Sequence, residues 1–170
     1  MRVFGIDPGL QCTGWGVITL TDNHLTWLGD GVVTTEASTP LPQRLLAINH
    51  GLMHHLAEYQ VDMVGVEEVF LAKGIGAAMK LGMARGVALV AVAQVGVALH
   101  EVAARQVKRD LTGSGRAEKA QVASMVGRLL NVTPMSSDSA DALAIAISTA
   151  HRFGHGFGAS FGQAKKVLEA

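Results

Sequence analysis

Four acidic residues stand where a folded chain would bring carboxylates together. Asp7 and Glu67 each end a short apolar run, RVFGID and DMVGVE. Asp138 and Asp141 lie three residues apart at the start of DSADALAIAIS, a spacing that puts both on one face of a helix. Clustered carboxylates repel one another unless cations neutralise them, and oxygen ligands suit Mg²⁺ or Mn²⁺. The four residues together predict a divalent metal site.

Each acid also has an ordinary structural explanation when it is taken alone. Asp7 precedes Pro8-Gly9 and reads as a turn residue, and Glu67 reads as a solvated strand end. The two later aspartates would complement the positive end of their helix, with a preceding serine as its cap. Only the joint placement of the four acids favours the metal site.

The residue pattern predicts the elements that position these acids. Strands are expected at 1–7, 12–20, 25–35, 61–66 and about 99–103, and helices at 41–59, 76–97, 104–111, 117–130 and 138–151. This order predicts an α/β fold with a five-stranded mixed β-sheet and helices on both faces. Parallel strands of such a sheet bring their carboxyl ends to one edge, where ligand sites form. Residues 1–152 are expected to form one domain, and the glycine-rich residues 153–170 a flexible tail.

Composition narrows the class of protein. Of the 170 residues, 49% are apolar and 16% are charged, which excludes a mainly disordered chain. Cys12 is the only cysteine, and Met1 leads directly into the first strand without a signal-like segment. Both features predict a cytoplasmic location. The apolar run 86–99 is shorter than the roughly 20 residues that span a bilayer, so a buried helix without membrane association is predicted.

Charge is distributed unevenly although the formal net charge is zero. Residues 73–128 hold nine basic and three acidic residues, and the rest of the chain is correspondingly acidic. A neutral total can therefore conceal a basic face beside an acidic pocket. This pattern fits a nucleic-acid substrate, but it is weak support by itself.

Several motifs resemble, in order, those of the RuvC family of Holliday-junction resolvases. They are GIDPG…TGWGVI, VEEVFLAKG…AMKLGMARG, ARQVKRDLTGSGRAEKAQV and DSADALAIAI, and they run from about residue 1 to 151. The resemblance implies an RNase H-like fold and a homodimer. It implies a crossover junction endodeoxyribonuclease that makes symmetric, ligatable nicks in two opposed strands of a four-way DNA junction, in recombination and DNA repair. It also implies action alongside the RuvA–RuvB branch-migration complex.

The resemblance further implies the roles of individual residues. Four acids would hold two Mg²⁺ ions for phosphodiester hydrolysis, with Mn²⁺ as a substitute, and two lysines would neutralise charge at the scissile phosphate. These residues are Asp7, Glu67, Asp138, Asp141, Lys108 and Lys119. An aromatic residue would stack on unpaired bases at the crossover, and six cations would contact DNA. These are Phe70, Lys73, Lys80, Arg85, Arg105, Arg109 and Arg116.

Other interpretations of the same residues stay open. Without the resemblance, the lysines read as routine phosphate contacts or solvated helix positions, and Phe70 reads as a core residue. The Ala/Gly-rich helix at 76–97 would form the homodimer interface or would simply be buried against the sheet. Gly5 and Gly9 are expected to leave room for the DNA backbone beside Asp7.

Three rival functions share part of the pattern. Actin-like kinases and ATPases have the same Asp-then-glycine hairpin, but they need two lobes, for which 170 residues leave no room. A junction-binding protein without nuclease activity would be expected to lack one of the four acids. A metal-dependent nuclease of RNA–DNA hybrids fits the later motifs less well.

Overall fold

The computed structural model describes residues 1–68 and 74–154. Within these ranges the strands are β1 (Arg2–Asp7), β2 (Cys12–Thr21), β3 (His24–Thr34), β4 (Met63–Glu67) and β5 (Ala98–Val102). The helices are α1 (Leu41–Tyr59), α2 (Ile75–Val95), α3 (Ala104–Thr112), α4 (Lys119–Leu130) and α5 (Ser137–Phe153). The expected elements and the α/β class are confirmed. Phe70, Lys73 and the expected tail from residue 155 onward lie outside the described residues.

The five strands form one mixed sheet in the order β3-β2-β1-β4-β5. β1, β2 and β3 pair antiparallel, whereas β4 and β5 run parallel to β1. Because β1 and β4 are parallel neighbours, their carboxyl ends meet at one edge of the sheet. This pairing brings Asp7 and Glu67 to the same edge.

Helices cover both faces of the sheet. One apolar core joins the sheet to α1 and α2 and includes Phe4 and Ile6 of β1. The other core joins the opposite face to α3, α4 and α5 and includes Val3. Side chains alternate along a strand, so Asp7 falls on the α5 face together with Val3 and Gly5.

Three glycines form a row across β2, β1 and β4 beneath α5. Gly5 pairs with Gly16 on one side and with Gly65 on the other. A Cβ at Gly5 would lie 2.0 Å from the carbonyl oxygen of Ala142, and one at Gly65 would lie 2.0 Å from Oγ1 of Thr149. Both distances are far below van der Waals contact, so this glycine row is what lets α5 lie so close to the sheet.

The expectation that Gly5 and Gly9 leave room for DNA is wrong. Gly5 is buried under α5, and its missing side chain is replaced by helix backbone. A Cβ at Gly9 would lie 2.1 Å from the carbonyl oxygen of Cys12, so Gly9 serves the tight turn between β1 and β2. A glycine in a sequence signals a close approach, but it does not identify what approaches.

α2 packs by one face only. Its buried residues are Ala84, Ala88, Ala91 and Val92, which face the core shared with α1. Its exposed apolar residues include Ile75, Met79 and Val90. The helix was expected to be buried, but its own chain buries only four of its 21 residues. In the part of the chain that the structure describes, α2 is the one helix long and apolar enough to cross a membrane, a criterion that core helices of soluble proteins also meet.

Candidate active site

A cleft of about 230 Å³ opens at the sheet edge where β1 and β4 end. Its polar lining is Asp7 from β1, Glu67 from β4, Lys108 from α3, Lys119 from α4 and Asp141 from α5. Its apolar wall is formed by Ala104, Val107, Val122, Ala144 and Ile145. Three of the four predicted acids and both predicted lysines thus lie in one cleft.

The pKa of the Asp7 carboxyl group is strongly raised. Burial, followed by the negative charges of Glu67 and Asp141, raises the pKa of Asp7 from 3.8 to about 7. Burial and the charge of Asp141 also raise the pKa of Glu67, while the two cleft lysines oppose that shift. The protein thus holds carboxylates together against their mutual repulsion, as a cation site requires.

Lys119 partly offsets this negative charge. Its Nζ donates to Oδ2 of Asp141 at 2.6 Å, and this hydrogen bond raises the pKa of Lys119. The Lys119 side chain is 76% exposed, so the ion pair lies at the open side of the cleft. Lys119 is therefore placed to exchange its carboxylate partner for another anion that enters the cleft.

Asp138 lies beside the cleft and does not line it. Its Oδ2 accepts a hydrogen bond from the Cys12 thiol at 3.2 Å. Burial and this hydrogen bond raise the pKa of Cys12 to about 11, which keeps the thiol protonated and able to donate. The sequence did not predict this contact, because a lone cysteine on a strand does not indicate which carboxylate it will contact.

The start of α5 is fixed by a cap and by a buried carboxylate. Ser136 accepts from the backbone N–H of Ser139 at 3.1 Å, which confirms the expected serine cap. Asp30 of β3 is 8% exposed and accepts from the Met135 backbone N–H at 2.7 Å and from Trp27 Nε1 at 2.9 Å. Asp30 therefore anchors the residue that immediately precedes the cap.

A buried arginine secures the turn that follows Asp7. Arg44 of α1 is 8% exposed, and its guanidinium donates to the Leu10 carbonyl oxygen at 3.1 Å and to Oγ1 of Thr35 at 2.9 Å. Oγ1 of Thr13 closes the same turn by donating to the Gly9 carbonyl oxygen at 2.7 Å. These contacts hold the β1–β2 turn against α1, and with it the strand end that carries Asp7.

The predicted DNA-contacting cations that the structure describes fall into three sets. Arg105 and Arg116 line a second cleft that shares Lys108 and Ala104 with the first. Its three cations outnumber its one acid, Glu68, so a basic surface adjoins the acidic one. Arg109 and Lys80 are exposed. Arg85 differs, because its side chain is 17% exposed and is paired with protein groups.

The donors of the cleft fit a hard divalent cation. Carboxylate oxygens are the ligands that Mg²⁺ and Mn²⁺ prefer. A separate group on α1 consists of His54, His55 and Glu58, whose ligand atoms lie within 4.8 Å of one another. Among residues 1–68 and 74–154, no three of the predicted acids lie as close together. That histidine group suits softer metals and lies on the α1 surface.

Comparison with known proteins identifies the family. The family model described as crossover junction endodeoxyribonuclease RuvC matches residues 3–149. The chain belongs to the RuvC family. A curated RuvC of Citrifermentans bemidjiense is 46% identical over 155 residues, which cover 91% of this chain and 94% of that protein. The RuvC of Pasteurella multocida is 47% identical over 156 residues, covering 91% and 82%.

Solved RuvC structures agree with the fold. Thermus thermophilus RuvC superimposes with a TM-score of 0.82 at 35% identity, covering 91% of this chain and 96% of that one. The same protein in complex with a Holliday junction substrate gives a TM-score of 0.84 at 36% identity, with the same coverage. Yeast mitochondrial Ydc2 matches with a TM-score of 0.62 at 12% identity, and this similarity concerns the fold alone. The expected RNase H-like fold is confirmed.

Proposed function

We propose that this RuvC-family chain is a Holliday-junction resolvase. It hydrolyses one phosphodiester in each of two opposed strands of a four-way DNA junction and leaves nicks that can be ligated. The observation that carries the proposal is the cleft that gathers carboxylates from β1, β4 and α5 directly beside a basic cleft. The family match and the junction-bound Thermus relative support the same substrate.

The acids Asp7, Glu67 and Asp141 would hold two Mg²⁺ ions, with Asp138 as a further ligand and Mn²⁺ as a substitute. Bound Mg²⁺ would lower the pKa of a water molecule and offset charge on the departing oxygen. Asp7 must be ionised to serve as a ligand, and its pKa of about 7 leaves part of the metal-free protein protonated there at neutral pH. Metal binding would therefore release a proton from the cleft.

The two lysines would act on the phosphoryl group. Lys108 lines both clefts and would neutralise charge on the phosphoryl oxygens. Lys119 pairs with Asp141 in the structure and would turn to the scissile phosphate once Asp141 binds metal. Positive charge would then be available where the reaction develops negative charge.

The remaining contacts concern the DNA and the partner proteins. Arg105, Arg109, Arg116, Lys80 and Lys73 would contact phosphates, and Phe70 would stack on unpaired bases at the crossover. The exposed apolar face of α2 would form a homodimer, which supplies the two sites that symmetric cleavage needs. The nuclease domain would comprise residues 1–152 and act in the cytoplasm with RuvA and RuvB.

The test compares cleavage of a synthetic four-way junction and of a linear duplex with the same sequences. We expect paired, ligatable nicks in the junction alone, dependent on Mg²⁺ or Mn²⁺ and abolished by a chelator. Asp7→Asn should lower the cleavage rate by about 10³-fold, because an amide cannot replace a buried anionic ligand. Asp22→Asn is the matched control, since Asp22 is an exposed residue of the β2–β3 turn.

Three results would contradict the proposal. Junction binding without cleavage, over a set of junctions of varied sequence, would indicate a junction-binding protein. Equal cleavage of the linear duplex would indicate a nuclease without junction specificity. If Asp7→Asn cleaves normally, the carboxylate cleft is not the active site.

A further inference from the structure

Arg85 on α2 stands apart from the other cations near the cleft. Its Nε donates to the backbone carbonyl oxygen of Glu67 at 3.1 Å, and its Nη2 pairs with Oε2 of Glu101 on β5. The side chain is 17% exposed, whereas Lys80, one and a half turns earlier on α2, is classed as exposed. The guanidinium thus points inward at the sheet edge.

The two partners of Arg85 lie on neighbouring parallel strands. Glu67 ends β4, and Glu101 of β5 pairs in register with Val66, the residue before Glu67. A guanidinium presents several donors in a rigid plane, so it can hold two acceptors at a fixed separation. Arg85 therefore joins α2 to the last residue of β4 and to the strand beside it.

The local charge also argues against a phosphate contact. The Arg85 cation is already paired with the Glu101 carboxylate. A phosphate would have to break this ion pair and draw the guanidinium away from the Glu67 carbonyl oxygen. Arg105 and Arg116, by contrast, line the open basic cleft, where a phosphate can approach.

We propose that Arg85 is a positioning residue for Glu67, which it holds in place through the backbone, and that it does not contact DNA. The inference rests on the proposed function, because Glu67 acts there as a metal ligand. Groups that orient metal ligands typically change metal affinity or activity by about 10- to 100-fold when they are removed. The same helix carries the exposed apolar face, so α2 connects that face to Glu67.

The experiment separates positioning from DNA contact by means of three variants. Arg85→Met removes the side chain's donors, Arg85→Lys keeps the charge without the planar fork, and Glu101→Gln removes only the ion pair. Arg116→Met serves as the DNA-contact reference. For each protein we would measure junction affinity against salt concentration in chelator, the Mg²⁺ dependence of the thermal midpoint, and single-turnover cleavage.

Both Arg85 variants should bind the junction within about twofold of the unaltered chain, with the same salt dependence. The Mg²⁺ concentration for the half-maximal thermal shift, and for half-maximal cleavage, should rise about 10-fold. Glu101→Gln should raise both Mg²⁺ concentrations as well, by a smaller factor. This variant tests the proposal even if Arg85→Met does not fold. Arg116→Met should lower the salt slope by about one and leave the Mg²⁺ dependence unchanged.

A different pattern would overturn the assignment. If Arg85→Met lowers junction affinity and the salt slope by about one while Arg85→Lys restores both, Arg85 is a phosphate contact. If Mg²⁺ dependence is unchanged in both Arg85 variants, Arg85 does not position Glu67. Failure of the unaltered chain to cleave any junction would refute the proposed function instead, and the thermal shift would still decide the role of Arg85.

Discussion

α5 and α2 are both long, apolar helices rich in alanine, yet the chain treats them in opposite ways. α5 has 17 residues, of which eleven are buried, and α2 has 21 residues, of which four are buried. The difference lies in what faces each helix. The glycine row of β2, β1 and β4 admits α5 to the sheet, whereas the outer face of α2 meets no other part of the described chain. Apolar composition therefore predicts that a helix has a partner surface, but it does not tell whether that surface belongs to the same chain.

The largest expected difference between the α5 side of the sheet and the α2 side is electrostatic. Asp7 lies on the α5 face with its pKa raised from 3.8 to about 7, so the folded state binds its proton more tightly than the unfolded state does. The resulting stabilisation is complete below pH 3.8 and is lost as the pH rises through about 7. In chelator, this carboxyl should therefore lower the free energy of unfolding by about 4 kcal/mol over that range, at about 1.36 kcal/mol per pKa unit.

Urea unfolding between pH 4 and 8 in chelator measures this effect. Asp7→Asn should remove most of the slope and be more stable than the unaltered chain at pH 8, while Asp22→Asn should keep the slope. Added Mg²⁺ should restore stability at pH 8 in the unaltered chain and in Asp22→Asn, but not in Asp7→Asn. An identical pH slope in Asp7→Asn would show that burial and the neighbouring carboxylates do not raise the pKa of Asp7.

A matched pair of glycine substitutions tests the packing side of the comparison. Gly5→Ala puts a Cβ 2.0 Å from the Ala142 carbonyl oxygen, so it should cost about 1–3 kcal/mol of unfolding free energy and slow cleavage by shifting α5. Gly82→Ala on α2 meets nothing within 4 Å, so it should stabilise the helix by about 1 kcal/mol. Chemical denaturation at a protein concentration that keeps the chain monomeric compares the two. Equal costs at the two positions would contradict the role given to the glycine row.

The exposed face of α2 is tested by placing a charge on it. Met79 is 58% exposed in the single chain, so Met79→Glu should leave the monomer stable while it weakens self-association by about tenfold or more. Sedimentation equilibrium measures the association, and Leu46→Glu on α1, where Leu46 is 53% exposed, is the control. Unchanged association in Met79→Glu would place the dimer interface elsewhere.

A further local effect concerns the anchor at the start of α5. Asp30 accepts from two N–H groups, and Asp30→Asn leaves one of them without a good acceptor, at a cost of about 1–2 kcal/mol. The Mg²⁺ requirement for cleavage should rise as well, because the anchored segment leads into α5, which carries the proposed ligands Asp138 and Asp141. Trp27→Phe removes one donor only and should cost less, by the same denaturation measurement. Equal Mg²⁺ requirements in Asp30→Asn and the unaltered chain would limit Asp30 to stability.

The sequence predicted the elements, and the meeting of Asp7 and Glu67 at one sheet edge, because both leave local marks. Short apolar runs marked β1 and β4, and Asp7 and Glu67 stood at their ends. The sequence predicted fewer of the side-chain contacts between residues that are distant in the chain. Nothing near Asp30 or Cys12 indicates that they meet residues 135 and 138, and a cation such as Arg85 looks the same in sequence whether its partner is a carboxylate or a phosphate.

Because α5 follows all five strands in chain order, its docking on the glycine row completes the acidic cleft late in synthesis. Asp138 is synthesised 131 residues after Asp7, and it reaches the sheet only when α5 docks over Gly5, Gly16 and Gly65. Fragments that end before α5 carry Asp7 and Glu67 but lack half of the acidic set. Because domains complete their long-range contacts only after the distant segments are present, a partly synthesised chain has no complete cleft with which to cut DNA.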